Sequence, residues 1–214
     1  MSGWMKKVFS AEGVTEFRPG PHLDLLKKRF GQSGAVMLLL DVSGSMTARS
    51  GRKSHLDLAV AGCRGFIDDA IGGGYDAGLI FWSHDVQAHV PPSEDGNAAR
   101  ALLKRASHYG GGTNVLPALR LAGEVLLELD VSDRVIAVFG DGDLGNDAAA
   151  KQCAAQLAAR GIRIVTLGLG DASAQALAVI STETAQTVPR GTTSSTMSAD
   201  IQGLARGLIA RKKR

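Results

Sequence analysis

Long apolar runs are missing from this chain. No stretch approaches the ~20 residues that a helix needs to cross a bilayer, and no hydrophobic signal region follows Lys6 and Lys7. A cytoplasmic protein is therefore expected. Cysteine is scarce as well: Cys63 and Cys153 each fall inside a helical pattern, and neither sits at metal-ligand spacing. Two buried thiols are expected, with a bridge between them left open. An excess of one charge is also absent, since 24 basic residues face 21 acidic ones, a formal net charge of +3. Much of that excess sits in the tail, residues 211–214. This is not the broad basic field of a nucleic-acid binder. The tail reads as a complement to the carboxyl end of a last helix, with an anionic contact as the alternative. Neither nucleic acid nor membrane is expected as a partner.

Aromatic residues make up only 5% of the chain, and Trp4, Phe9, Phe17 and Phe30 all lie near its beginning. Residues 1–33 are read as an arm that packs back and covers a sheet edge; a docking segment for a partner is the alternative. The rest is rich in what a compact α/β domain uses. The chain is 44% hydrophobic and holds 27 glycines in 214 residues, enough for one substantial core with many tight turns.

The hydrophobic pattern alternates between the two periods of regular structure. Strands are predicted at residues 35–40, 75–82, 86–90, 134–139 and 162–167, with a short last one at Thr187 and Val188. The run at 86–90 alternates apolar and polar, which suits an antiparallel edge strand ended by Pro91 and Pro92. Helices are predicted at 56–71, 97–106, 115–129, 147–159, 172–180 and 198–210, with Asp147 as an N-cap. Strands alternating with helices imply right-handed βαβ units. The expected fold is a three-layer, doubly wound, Rossmann-like α/β domain over residues 34–210. Its six-stranded sheet is mostly parallel, with one antiparallel edge strand and helices on both faces.

The most informative string is DVSGS, which begins at Asp41 where the first apolar strand runs out. Ligands gather outside the carboxyl ends of strands in such sheets. Residues two apart in an extended turn point the same way, so Asp41, Ser43 and Ser45 can converge. Two more strand exits offer oxygen. Thr113 follows a glycine run that includes Gly112, and Asp141 sits in an Asp-Gly-Asp turn with Asp143. One carboxylate with two hydroxyls is a hard-oxygen set suited to Mg²⁺ or Mn²⁺.

With these residues in that order, the chain resembles the von Willebrand factor A (vWA) domains. The signature is their metal-ion-dependent adhesion site (MIDAS): Asp-x-Ser-x-Ser, a distant Thr and a distant Asp-Gly. The corresponding residues are Asp41, Ser43, Ser45, Thr113 and Asp141. Gly168 and Gly170, at the end of a later strand, also look like the family. The resemblance implies direct metal contacts from Ser43 and Ser45. It implies a direct or water-mediated contact from Thr113, and largely water-mediated ones from Asp41 and Asp141. Asp143 and Gly112 are expected to support or tune the site. One position departs from the family: the residue before the distant Asp, commonly Thr, is Gly140.

The function implied is a Mg²⁺-dependent protein-binding module (Mn²⁺ or Ca²⁺ being the alternative ions). A metal held mostly by neutral hydroxyls favours an incoming Asp or Glu from a partner. The resemblance is to bacterial-type intracellular members, which implies an ATPase or chaperone-type partner. The alternative from another class is a phosphohydrolase using the same metal site. It is disfavoured because Ser43 stands where the usual second carboxylate would be, and no lysine adjoins the motif. A nucleotide-binding reading fails for lack of a complete glycine-rich phosphate loop. His84, His89 and His108 are read as surface side chains without zinc spacing. Arg49, Arg52 and Lys53 follow the first metal loop, and either assist binding of an acidic partner or are simply solvated.

Overall fold

The protein is described from a computed structural model, which covers residues 34–50, 52–107, 111–168 and 171–183. Contacts divide the chain after Gly31, and every described residue lies in the second unit. The arm, the last strand at Thr187 and Val188, and the last helix and tail fall outside the described residues.

Five strands form the main sheet: β1 (Gly34–Asp41), β4 (Tyr75–Trp82), β5 (Val86–Ser93), β6 (Asp133–Gly140) and β7 (Ile162–Gly168). Their order is β5-β4-β1-β6-β7. All neighbours are parallel except β5, which runs antiparallel to β4 at one edge. The sheet thus has five strands among the described residues, not six. A two-stranded hairpin, β2 (Arg49–Ser50) and β3 (Lys53–Ser54), stands apart from it.

Helices sit on both faces, as parallel strands with apolar residues on both sides require. Alternate residues of β1 feed two cores. Val36, Leu38 and Leu40 pack with Ala59, Cys63, Phe66 and Ile67 of α1 (His55–Gly72) and with Ala99 and Leu103 of α2 (Asn97–Leu103). Ala35, Met37 and Leu39 pack with Leu119 and Leu126 of α3 (Leu116–Glu128) and Cys153 and Leu157 of α4 (Asp147–Ala159). All eight residues of β1 are buried, which makes it the spine of the domain. The two cysteines lie in opposite cores, and both are free thiols. No helix among the described residues is long and apolar enough to cross a membrane.

Several local expectations shift. β5 continues through Pro91 and Pro92 to Ser93. An edge strand tolerates proline because the missing N–H can face outward. The N-cap of α4 is Asn146, whose side chain accepts from the Ala149 N–H at 3.0 Å, and Asp147 is the first helical residue. α2 ends at Leu103, not near 106. The predicted helix at 172–180 splits into α5 (Asp171–Leu177) and a 3-10 turn, Ala178–Ile180.

At the amino ends of the strands, polar groups tie β4, β6 and β7 to one another and to Glu183. The Tyr75 hydroxyl donates to Asp133 Oδ2, and Arg163 donates to both Asp133 oxygens and to Glu183. At the opposite end lies the candidate site. α1 starts there with a capping box. Ser54 Oγ accepts from the Asp57 N–H at 3.1 Å, and Asp57 Oδ2 accepts from the Ser54 N–H at 2.9 Å. The Ser54 N–H, then its hydroxyl, hold the Asp57 carboxyl below its usual range. The box therefore stabilises the fold above the unfolded carboxyl pKa and loses that contribution as pH falls through the lowered folded value. Ser54→Ala is expected to cost about 1 kcal/mol of unfolding free energy, measured by urea titration at neutral pH, with a smaller difference in acid.

Candidate metal-binding site

The site is built where β1 ends. Asp41 is the last residue of β1, flanked by Trp82 at the end of β4 and by the exit of β6. The chain then turns through Val42 and Ser43 into a 3-10 turn, Gly44–Thr47. Buried Met46 anchors that turn in the first core, and Thr47 Oγ1 donates to the Gly44 carbonyl at 2.7 Å.

The geometry brings the first three candidate residues together. The Ser43 N–H donates to Asp41 Oδ1 at 2.8 Å. Ser43 Oγ and Ser45 Oγ lie 2.9 Å apart in a hydrogen bond. Ser43 is buried and Ser45 exposed, so the pair leads from the interior to the surface. Asp41 is fully buried, and its Oδ2 has no hydrogen-bond partner among the described residues.

That orphaned oxygen is costly. Burial pushes the Asp41 carboxyl up from 3.8 to about 6. Hydrogen bonds from the Ser43 main chain and side chain oppose the rise, the nearby Asp141 carboxylate adds to it, and the Asp141 N–H opposes it weakly. A shift of this size corresponds to about 3 kcal/mol carried by the folded state when the group is charged. A buried carboxylate with one oxygen unsatisfied, beside a second carboxylate and two converging hydroxyls, fits a hard divalent cation. Among the described residues, no three His, Cys, Asp or Glu side chains gather as a zinc-type site would require.

Thr113 and Asp141 enter through interlocked loops. The Asn114 N–H donates to the Ser83 carbonyl at 2.7 Å, and the Val115 N–H to the Leu144 carbonyl at 3.2 Å. Gly145, at φ +78°, lets the β6–α4 loop pass so close to the Thr113 carbonyl that a Cβ there would collide with it. Thr113 and Asp141, the latter directly after β6, are both half-buried. Asp143 is exposed, and its Oδ1 accepts the Gly145 N–H at 2.9 Å, so it shapes this loop.

The glycine before Thr113 is unconstrained, because a Cβ on Gly112 would meet nothing within 4 Å. Gly111 is the constrained one. It has φ +113°, and a Cβ there would lie 2.9 Å from His84 Nδ1. The β4–β5 turn therefore braces the Thr113 loop, through the Ser83 carbonyl and the His84 ring. Sequence reading missed that role; its one signal was a serine directly after the apolar run at residues 77–82. His89 is exposed on β5, and His108 lies outside the described residues.

Gly140 has a local consequence. A Cβ at this position would lie 3.1 Å from Asp41 Oδ2 and 3.4 Å from Trp82 Cζ2. The orphaned oxygen thus occupies room that a side chain at position 140 would claim. Trp82 Nε1 is a second buried polar atom with no partner among the described residues.

An open, mostly parallel sheet with an Asp-Ser-Ser cluster at its central strand end defines an α/β domain of the doubly wound class. The von Willebrand factor type A domain family model matches residues 36–143, half of the chain. The chain belongs to that family, whose domains typically mediate protein–protein interaction. No curated protein matches the chain by sequence. Solved structures do. An aerotolerance-related membrane protein from Bacteroides fragilis is 27% identical with a TM-score of 0.55, over 64% of this chain and 67% of that one. The conserved hypothetical protein BatB from Bacteroides thetaiotaomicron is 26% identical with a TM-score of 0.55, over 64% and 66%. The von Willebrand factor domain of a type V pilus tip protein from Porphyromonas gingivalis shares the fold, with a TM-score of 0.70 at 13% identity over 86% and 97%. The chain thus spans about two thirds of the length of the two Bacteroides structures.

The raised Asp41 pKa sets a testable sign. A group with a raised folded-state pKa favours the fold as pH falls and costs it stability when charged. In chelator at neutral pH, Asp41→Asn is expected to melt above the unaltered protein. That difference should shrink as pH falls towards 3.8, the unfolded value. The same substitution should abolish any rise in melting temperature on adding Mg²⁺, measured by scanning calorimetry.

Proposed function

We propose that this chain is a divalent-metal-dependent protein-recognition module, and that its metal site is a MIDAS that takes an Asp or Glu of a partner. The observation that carries the reading is the buried Asp41 oxygen, without a hydrogen-bond partner among the described residues, beside the Ser43–Ser45 hydroxyl pair. Mg²⁺, or Mn²⁺ or Ca²⁺ in its place, would supply a positive centre there with room for one more anionic oxygen.

The chain's own residues set what that centre can do. Ser43 and Ser45 present neutral oxygens, so they hold a cation without cancelling its charge. The Ser43 N–H fixes the Asp41 carboxylate by one oxygen and leaves the other in the space beside Gly140, at the exit of β6. The Thr113 and Asp141 loops are held to each other through Gly145 and Leu144, so a shift in one strains the other. Exposed Ser45 makes the outer rim reachable by a partner. Position 43 carries a hydroxyl where a phosphotransfer site would offer a second carboxylate, which supports binding without turnover. Two free buried thiols are in keeping with a reducing compartment, and we place the protein in the cytoplasm.

The test is paired substitution. Ser43→Ala with Ser45→Ala should leave unfolding free energy within about 1 kcal/mol of the unaltered protein. It should also remove Mg²⁺-dependent retention of partner proteins in a pull-down, as chelator does with the unaltered chain. Retention that persists in chelator contradicts the proposal. So does Mg²⁺-dependent phosphatase turnover that Asp41→Ala abolishes.

A further inference from the structure

The loop that leaves the site is one-sidedly charged. Residues 42–56 contain Arg49, Arg52 and Lys53 and no carboxylate. All three cations are exposed, and none forms an ion pair among the described residues. Arg100 and Arg163 behave otherwise, each being matched to carboxylates of its own fold. The next acid along the chain, Asp57, is engaged by the N–H and hydroxyl of Ser54 at 2.9 and 2.8 Å; Arg49 and Lys53 lie near enough to help hold its carboxyl low but form no ion pair with it, and Arg52 has no such neighbour among the described residues.

The main chain that carries the cations is tied to the candidate site. Arg49 opens β2, and Lys53 opens β3 of the hairpin. The base of the hairpin is tied to the candidate metal loop. The Ala48 N–H donates to the Ser45 carbonyl at 3.0 Å, and the His55 N–H donates to the Ala48 carbonyl at 2.8 Å. Arg49 follows Ser45 by four residues, so their Cα atoms are at most about 14 Å apart. An extended peptide covers that span in about four residues. Clustered like charges repel each other and favour an anionic partner.

We propose that the β2–β3 hairpin is a second recognition subsite, taking further carboxylates of the same partner segment whose first acid reaches the metal. The preferred partner is then a short acidic stretch of a protein, with extra Asp or Glu two to four positions from the metal-bound one. This inference rests on the metal-binding reading above.

Two fluorescent synthetic peptides separate the inferences. One has a single Asp in a Gly/Ser background, and the other has the same Asp followed by three Glu. Their binding is followed by anisotropy in Mg²⁺ and in chelator, at low and high salt. The acidic peptide is expected to bind about tenfold tighter, an advantage that salt screens away. Arg49→Gln, Arg52→Gln and Lys53→Gln together should erase the advantage and leave Mg²⁺-dependent binding of the single-Asp peptide unchanged. The single reversal Arg52→Glu, away from the capping box, should lower it part-way, and calorimetry confirms that both variants fold. Equal affinities for the two peptides, or an advantage that survives in the hairpin variants, overturns the subsite and leaves the metal reading standing. Binding of the single-Asp peptide that ignores chelator and Ser43→Ala with Ser45→Ala overturns the metal reading. Binding of neither peptide in Mg²⁺ overturns both.

Discussion

One carboxylate, buried and only half satisfied at the end of the central strand, is the constraint on which this structure turns. Asp41 closes a strand whose every residue is buried, so the protein carries the desolvation of a charge at the most enclosed point of its sheet. An apolar residue there would suit the two cores better. The fold keeps the acid, gives Oδ1 the Ser43 N–H, and leaves Oδ2 without a hydrogen-bond partner among the described residues. Marginal stability makes such a cost large. A strained group of this kind is the observation on which the proposed metal site rests.

The surroundings serve that arrangement. Strands β4 and β6 flank β1 in parallel, so three exits open on one side and bring the Ser43, Ser83 and Asp141 loops together. Close main-chain approaches then lock the loops. Gly145 passes Thr113, Gly111 lies against His84, and Gly140 yields its side-chain space to Asp41. Each substitutes backbone proximity for side-chain contact, which only glycine allows at the positive φ of Gly111 and Gly145. The hydroxyl pair therefore sits on a rigid frame, while its outer member, Ser45, faces solvent. The same frame holds the basic hairpin beside the site through the Ala48 N–H.

Much of this was legible in the sequence because burial writes strong patterns. Apolar runs located β1 and β6, largely apolar ones located β4 and β7, and the position of Asp41 followed from where the first run stops. The alternating run at 86–90 marked the antiparallel edge, though its prolines hid its true length. The hairpin was not visible, since two-residue strands carry no periodicity. The brace formed by Ser83 and His84 was also hidden, because it depends on a main-chain carbonyl and a ring face that meet a loop some thirty residues later. For the same reason Gly112 drew notice, while neighbouring Gly111 bears the steric constraint. Asn146 rather than Asp147 caps α4, a one-residue choice that pattern alone does not resolve.

The central claim is that the Asp41–Ser43–Ser45 cradle is completed by a divalent cation. Anomalous diffraction from crystals equilibrated with Mn²⁺ addresses it most directly. The account predicts one strong peak within coordinating reach of the Ser43 and Ser45 hydroxyls, on the side of the free Asp41 oxygen. Saturating Mn²⁺ that leaves this position without a peak, or places the ion elsewhere on the domain, would contradict it.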